Sequence, residues 1–203
     1  MQKIAYAVSL LIIAIFSWYY FISRGFPLEI QYINAVAAFS STVIIALSAI
    51  AGPLARFIPR LRKIVETRRP LGLVGFGLAA LHTALVVPIL LQDARAATLS
   101  DTASIAFAAI AFMIFALMAL TSTSSWVEKL GLENWKNLQR LGYLAMAFVI
   151  FHVILLQGGV FLNRITGQAV ILIVLVAILA RAIVLIMKKP AVESGVDHLV
   201  LRH

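Results

Sequence analysis

Six apolar runs of about twenty residues, parted only by short polar connections, limit what this 203-residue chain can become. They cover residues 4–22, 32–51, 71–91, 103–120, 141–157 and 167–187. Each is long enough to cross about 30 Å of hydrocarbon as a helix, and a backbone facing lipid must bond to itself. Hydrophobic residues make up 63% of the chain and charged ones 12%, against about half and a quarter in an average soluble domain. The expected fold is an all-α integral membrane protein, a six-transmembrane-helix bundle. Residues 1–190 form one transmembrane domain, and 191–203 form a polar tail with no expected structure.

Punctuation within the chain sets the expected boundaries. The first run is longer than the apolar core of a signal peptide, and no small-residue cleavage site follows Tyr19-Tyr20-Phe21-Ile22. It reads as a retained helix with Trp18, Tyr19 and Tyr20 at the membrane interface. Gly52-Pro53 reads as the stop of the second span, Pro88 as a bend in the third, and Gly158-Gly159 as a turn after the fifth. Between the fourth and fifth spans, TSTSSWVEKLGLENWKNLQR predicts a short amphipathic surface helix capped by its serines and threonines.

The charges orient the bundle. With six spans both termini share a side, and 14 of the 17 lysines and arginines then fall on that side, six of them between Arg56 and Arg69. Cationic loops stay in the cytoplasm, which predicts a multi-pass inner-membrane protein with both termini cytoplasmic. The net charge of +9 is explained by this topology, and no nucleic-acid signal accompanies it. The absence of cysteine excludes disulfides, thiolate-held iron–sulfur clusters and CxxCH haem attachment. A metal would have to be held by histidine or oxygen.

Two histidines lie deep in spans. His82 is 12 residues beyond Pro70 and His152 is 12 beyond Arg140, so both sit roughly 18 Å past one entry surface, in the outer half of the membrane. The third and fifth spans run parallel in the expected topology. An ionisable group at such depth suggests function, though a neutral histidine can also serve as interhelical packing glue. Haem iron takes two axial nitrogens from opposite faces, which two facing helices can supply, so a haem is expected between helices 3 and 5. Gly75 and Ala79 precede His82 by seven and three residues, and Ala145 precedes His152 by seven, with Gly159 seven beyond it. Small residues there would let a macrocycle approach the backbone, or would simply allow close helix packing. His198 and His203, in the tail, are assigned no role.

The patterns RRPLGLVGFGLAALHTAL and TSTSSWVEKLGLENWKNLQRLGYLAMAFVIFH resemble the ferric reductase-like transmembrane domain superfamily. Within it the likeness is to the haem-binding membrane subunits of periplasmic methionine sulfoxide reductase systems. The resemblance runs from Arg68 to Met187. It implies that His82 and His152 ligate haem b. It also implies electrons from the quinone pool or a flavin reductase, and a periplasmic molybdopterin-containing reductase as acceptor. The chain departs from the pattern at Gln139, where the family usually has histidine, and Arg69 stands at the matching level of the third span. Neither is a usual haem ligand, so one bis-histidine haem is expected, not a stacked pair. Arg68, Arg69, Trp135, Gln139 and Arg140 are expected to line an inner entrance for a quinol or a flavin such as FMN. The bland reading is that these arginines only anchor helices at the interface. GLVGFG lies inside a span and follows no strand, so it is not a dinucleotide fingerprint.

Two other functions fit the same features. One is a stand-alone quinol-dependent ferric or metal reductase working without a protein acceptor. The other is a small transporter or proton channel in which His82 and His152 relay protons, against which no acidic residue lies well inside a span.

Overall fold

A computed structural model describes residues 1–93, 99–156 and 162–187, with the side chains of 89–93 left aside. Gln157, the Gly158-Gly159 turn and the tail with His198 and His203 lie outside the described residues. The chain forms α1 (Gln2–Ser17), prolonged by a π-helical turn over Trp18–Ser23, and then α2 (Ile30–Phe57). A 3-10 segment (Pro59–Thr67) leads into α3 (Arg68–Asp93). Then come α4 (Leu99–Leu120), the short α5 (Ser124–Leu130), α6 (Leu132–Leu155) and α7 (Ile165–Ile186). Among the described residues six helices are long and apolar enough to cross a membrane, and α3 and α6 are the third and fifth of them.

The core follows from which apolar residues find partners. Helix α2 is the central one, packing on α1, α3 and α7. Val43 and Ile44 of α2 join Ile12 of α1, Leu71 of α3 and Val170 of α7 in one cluster. Ala46 joins Phe115 of α4, Ala145 of α6 and Val174 of α7 in a second. Large apolar side chains such as Leu10, Leu172 and Ile186 stay exposed around the outside. On a soluble protein such a belt would be an association surface, whereas in a bilayer it faces hydrocarbon.

Two boundaries differ from the sequence reading. Helix α2 does not stop at Gly52-Pro53 but runs through Pro53, which is fully buried, to Phe57. Proline lacks the N–H that would bond the carbonyl of Ala49, and the Tyr143 hydroxyl of α6 donates to that carbonyl at 3.0 Å instead. The breaker is tolerated because another helix replaces its missing donor.

Helix α6 starts at Leu132, well before Leu141, so Trp135, Gln139 and Arg140 sit on its opening turns. Gly131, at φ +76, makes the break between α5 and α6 that a residue with a side chain would resist. Thr123 stands at the N-cap of α5 without a side-chain bond to it. The Thr121 and Ser122 hydroxyls turn back instead to the carbonyls of Leu117 (2.7 Å) and Met118 (2.6 Å) at the end of α4.

At the end of α1 the three rings differ. Trp18 is exposed, but Tyr20 is buried and stacks on Phe39 of α2 at 6.1 Å.

Candidate functional site

A polar seam registers α2 against α3. Asn34, Ser41 and Ser48 are spaced seven apart on α2, and they meet His82, Gly75 and Arg68, also seven apart and in reverse order. Ser41 Oγ donates to the Gly75 carbonyl at 2.9 Å and Ser48 Oγ to that of Arg68 at 2.7 Å. Two turns of helix advance about seven residues, so the same face recurs at each tooth and the helices run antiparallel. At the end away from the arginines the seam finishes in a pairing of 2.7 Å between Asn34 Oδ1 and His82 Nδ1.

Helices α4 and α6 repeat the device. His152 Nδ1 lies 2.8 Å from Ser104 Oγ and 3.1 Å from the Ser104 carbonyl, while Ser104 Oγ donates to the His152 carbonyl at 2.9 Å. Farther along the same pair of helices, Trp135 Nε1 donates to the Thr121 carbonyl at 2.9 Å.

These contacts decide what the two rings can offer. Asn34 Oδ1 and the Ser104 carbonyl only accept, so each Nδ1 carries the proton and each Nε2 keeps its lone pair. Neither Nε2 has a hydrogen-bond partner among the described residues. The two rings are half-buried, on helices that are not packed against each other. No group of three or more histidine, cysteine, aspartate or glutamate side chains suited to a metal occurs among the described residues. Two neutral imidazoles are too few for a tetrahedral zinc site, but they suffice for a metal whose other positions a macrocycle fills. The donor set therefore fits haem.

Of the small residues named with the histidines, Gly75 and Ala145 lie in helix packing. A Cβ on Gly75 would stand 2.6 Å from Ile45 Cγ1 of α2. Ala145 is fully buried among Ala46, Phe115 and Val174. Ala79 is half-buried, and its carbonyl accepts from Thr83 at 3.0 Å. Gly159 is outside the described residues.

At the arginine-rich end the structure gathers all five expected entrance residues around one cavity of about 480 Å³. Arg68, Arg69, Trp135, Gln139 and Arg140 line it, joined by Lys136, Tyr143 and Arg181. His82 and His152 do not line it. Arg68 Nε is held by the Ser48 carbonyl at 3.2 Å, and Gln139 Nε2 donates to the Met118 carbonyl at 3.3 Å. The Arg181 guanidinium lies 5.7 Å from the centre of the Tyr143 ring, a cation–π contact. Among the described residues that line the cavity there is no carboxylate and no imidazole. Arg68 and Arg181 also line an adjoining basin with Arg56 and Arg62.

Sequence reasoning missed Asn34, Ser104, Tyr143 and Arg181. The seven-residue recurrence of Asn34, Ser41 and Ser48 opposite His82, Gly75 and Arg68 was a visible signal for the first. Ser104 and Tyr143 carried no comparable mark, and Arg181 counted only as one more basic residue of the inner side.

A bundle of six membrane-length helices, with two histidines each bonded to a neighbouring helix, defines a class of membrane protein. Residues 33–150 match the family described as ferric reductase like transmembrane component, and the chain belongs to that family. It is 33% identical over 107 residues to the protein-methionine-sulfoxide reductase heme-binding subunit MsrQ of Caulobacter vibrioides, covering 51% of this chain and 50% of that one. It is also 33% identical over 105 residues to magnetosome protein MamZ of Magnetospirillum gryphiswaldense, covering 48% of this chain and 16% of that one. The chain thus spans half or less of the length of these curated relatives.

Proposed function

We propose that this chain is a membrane electron-transfer subunit that grips one b-type haem between His82 and His152. The observation that carries the reading is the matched state of the two rings, each held through Nδ1 by a neighbouring helix and each left with an uncommitted Nε2. A haem bound there supplies a one-electron ferric–ferrous couple. The protein's part is to present both nitrogens, exclude water with the surrounding apolar helices and admit a donor at the arginine-rich end. The relative named as a heme-binding subunit supports the same cofactor.

The cavity lined by Arg68, Arg69, Trp135, Gln139 and Arg140 is the docking place for that donor, roughly 20 Å from the histidines along α3 and α6. The cavity offers a neutral quinol no charge pairing. Its cations suit a phosphate-bearing flavin such as FMN. With both termini cytoplasmic, electrons move outward through the inner membrane to a periplasmic acceptor. The MsrQ likeness makes the catalytic subunit of a methionine sulfoxide reductase the acceptor of choice.

The test is a pyridine haemochrome assay on the purified chain, expected to give one haem b per polypeptide. His82→Ala and His152→Ala should each abolish the Soret band while the protein still inserts. A colourless wild type produced with ample haem, or a variant with a normal spectrum, would end this reading.

A further inference from the structure

The two histidines are oriented by different kinds of partner. His152 is held twice by Ser104, through the hydroxyl at 2.8 Å and the backbone carbonyl at 3.1 Å, and the carbonyl survives any substitution there. His82 is held most closely by a side-chain oxygen, Asn34 Oδ1 at 2.7 Å, the last tooth of the α2–α3 seam, and the Asn34 backbone also interacts with it. Ser48 and Ser41, the other teeth, bond only backbone carbonyls, so the amide appears where a ring needs an acceptor.

We propose that Asn34 and Ser104 are positioning residues that hold His82 and His152 with Nε2 directed to the iron, and that the Asn34 side chain adds more to the donor strength of its histidine than the Ser104 hydroxyl adds to that of His152. This rests on the haem reading above. A hydrogen bond accepted from Nδ1–H fixes the tautomer and ring angle and makes Nε2 a stronger donor, and a stronger axial donor stabilises ferric over ferrous iron. Loss of the Asn34 oxygen weakens the bond from His82 and raises the midpoint potential. Loss of the Ser104 hydroxyl leaves the carbonyl in place and changes little.

The experiment is an optical redox titration of the purified, haem-loaded full chain, with low-spin electron paramagnetic resonance of its ferric form. Asn34→Leu, close to isosteric and without an acceptor, should raise the potential and lower haem affinity roughly 10- to 100-fold. Asn34→Asp keeps an acceptor and should retain haem, with a potential at or below that of the wild type. Ser104→Ala should stay nearer the wild type than Asn34→Leu in potential and g values. Asn34→Leu that loads with haem at an unchanged potential overturns the proposal, as does a larger shift from Ser104→Ala. Should Asn34→Leu fail to accumulate, Asn34→Asp decides, and a potential above the wild type overturns it. A wild-type chain that takes up no haem defeats the haem reading instead, so the two failures are distinguishable.

Discussion

The hydroxyl of Tyr143 donates to the carbonyl of Ala49 at 3.0 Å, across the interface of α6 and α2. Ala49 is the residue whose helical donor would have been the N–H of residue 53, which is proline. The bond closes a defect in one helix with a side chain from another.

Tyr143→Phe should therefore destabilise the protein by about 1 kcal/mol, the net worth of one hydrogen bond between half-buried groups. In a Pro53→Ala background the helix regains its own donor, and the same substitution should cost much less. Thermal unfolding of the four proteins in one detergent checks this, and equal losses in both backgrounds would refute the assigned role.

Gly75 meets α2 so closely that a methyl group would come within 2.6 Å of Ile45 Cγ1 and 3.3 Å of the Ile45 backbone nitrogen. Gly75→Ala is expected to cost about 1–3 kcal/mol by overpacking. Gly77, where a Cβ meets nothing within 4 Å, provides the control. Gly77→Ala should be neutral or mildly stabilising, as alanine is the better helix former.

Gln139→His introduces an imidazole on α6 opposite Arg69, which does not ligate iron. Haem content by pyridine haemochrome is expected to stay at one per chain. A rise to two would show that the arginine-rich cavity accepts a macrocycle with a single protein ligand.

Among the cations of that cavity, Arg69 and Arg181 are the variants of choice, because Arg68 also ties α3 to Ser48. Arg69→Gln and Arg181→Gln should each weaken FMN binding about tenfold through loss of a charge-assisted contact. The effect should shrink as salt rises. A neutral quinone analogue should be nearly indifferent to both. Quenching of flavin fluorescence measures the first and competition by the analogue the second.

The apolar runs and the depth of His82 and His152 were legible because length and hydropathy are properties of the chain alone. So was the grouping of Arg68, Arg69, Trp135, Gln139 and Arg140, since basic and aromatic residues recur at matched ends of two spans, and one cavity gathers them. The continuation of α2 through Pro53 was not legible, because the donor that repairs it comes from Tyr143, 94 positions along the chain. Nor was the placement of Gly75, since a bare α-carbon suits a ligand and a packed helix equally until a neighbour such as Ile45 is in place.

By itself the sequence determined that this chain forms membrane-length helices and that two of them carry a histidine, because uninterrupted apolar runs of about twenty residues satisfy their backbone polar groups as helices. Only the tertiary structure decided which nitrogen of each ring is held and which is offered. That depends on the register of α2 against α3 and of α4 against α6, where Asn34 and Ser104 are brought across 48 residues of chain to within hydrogen-bonding distance.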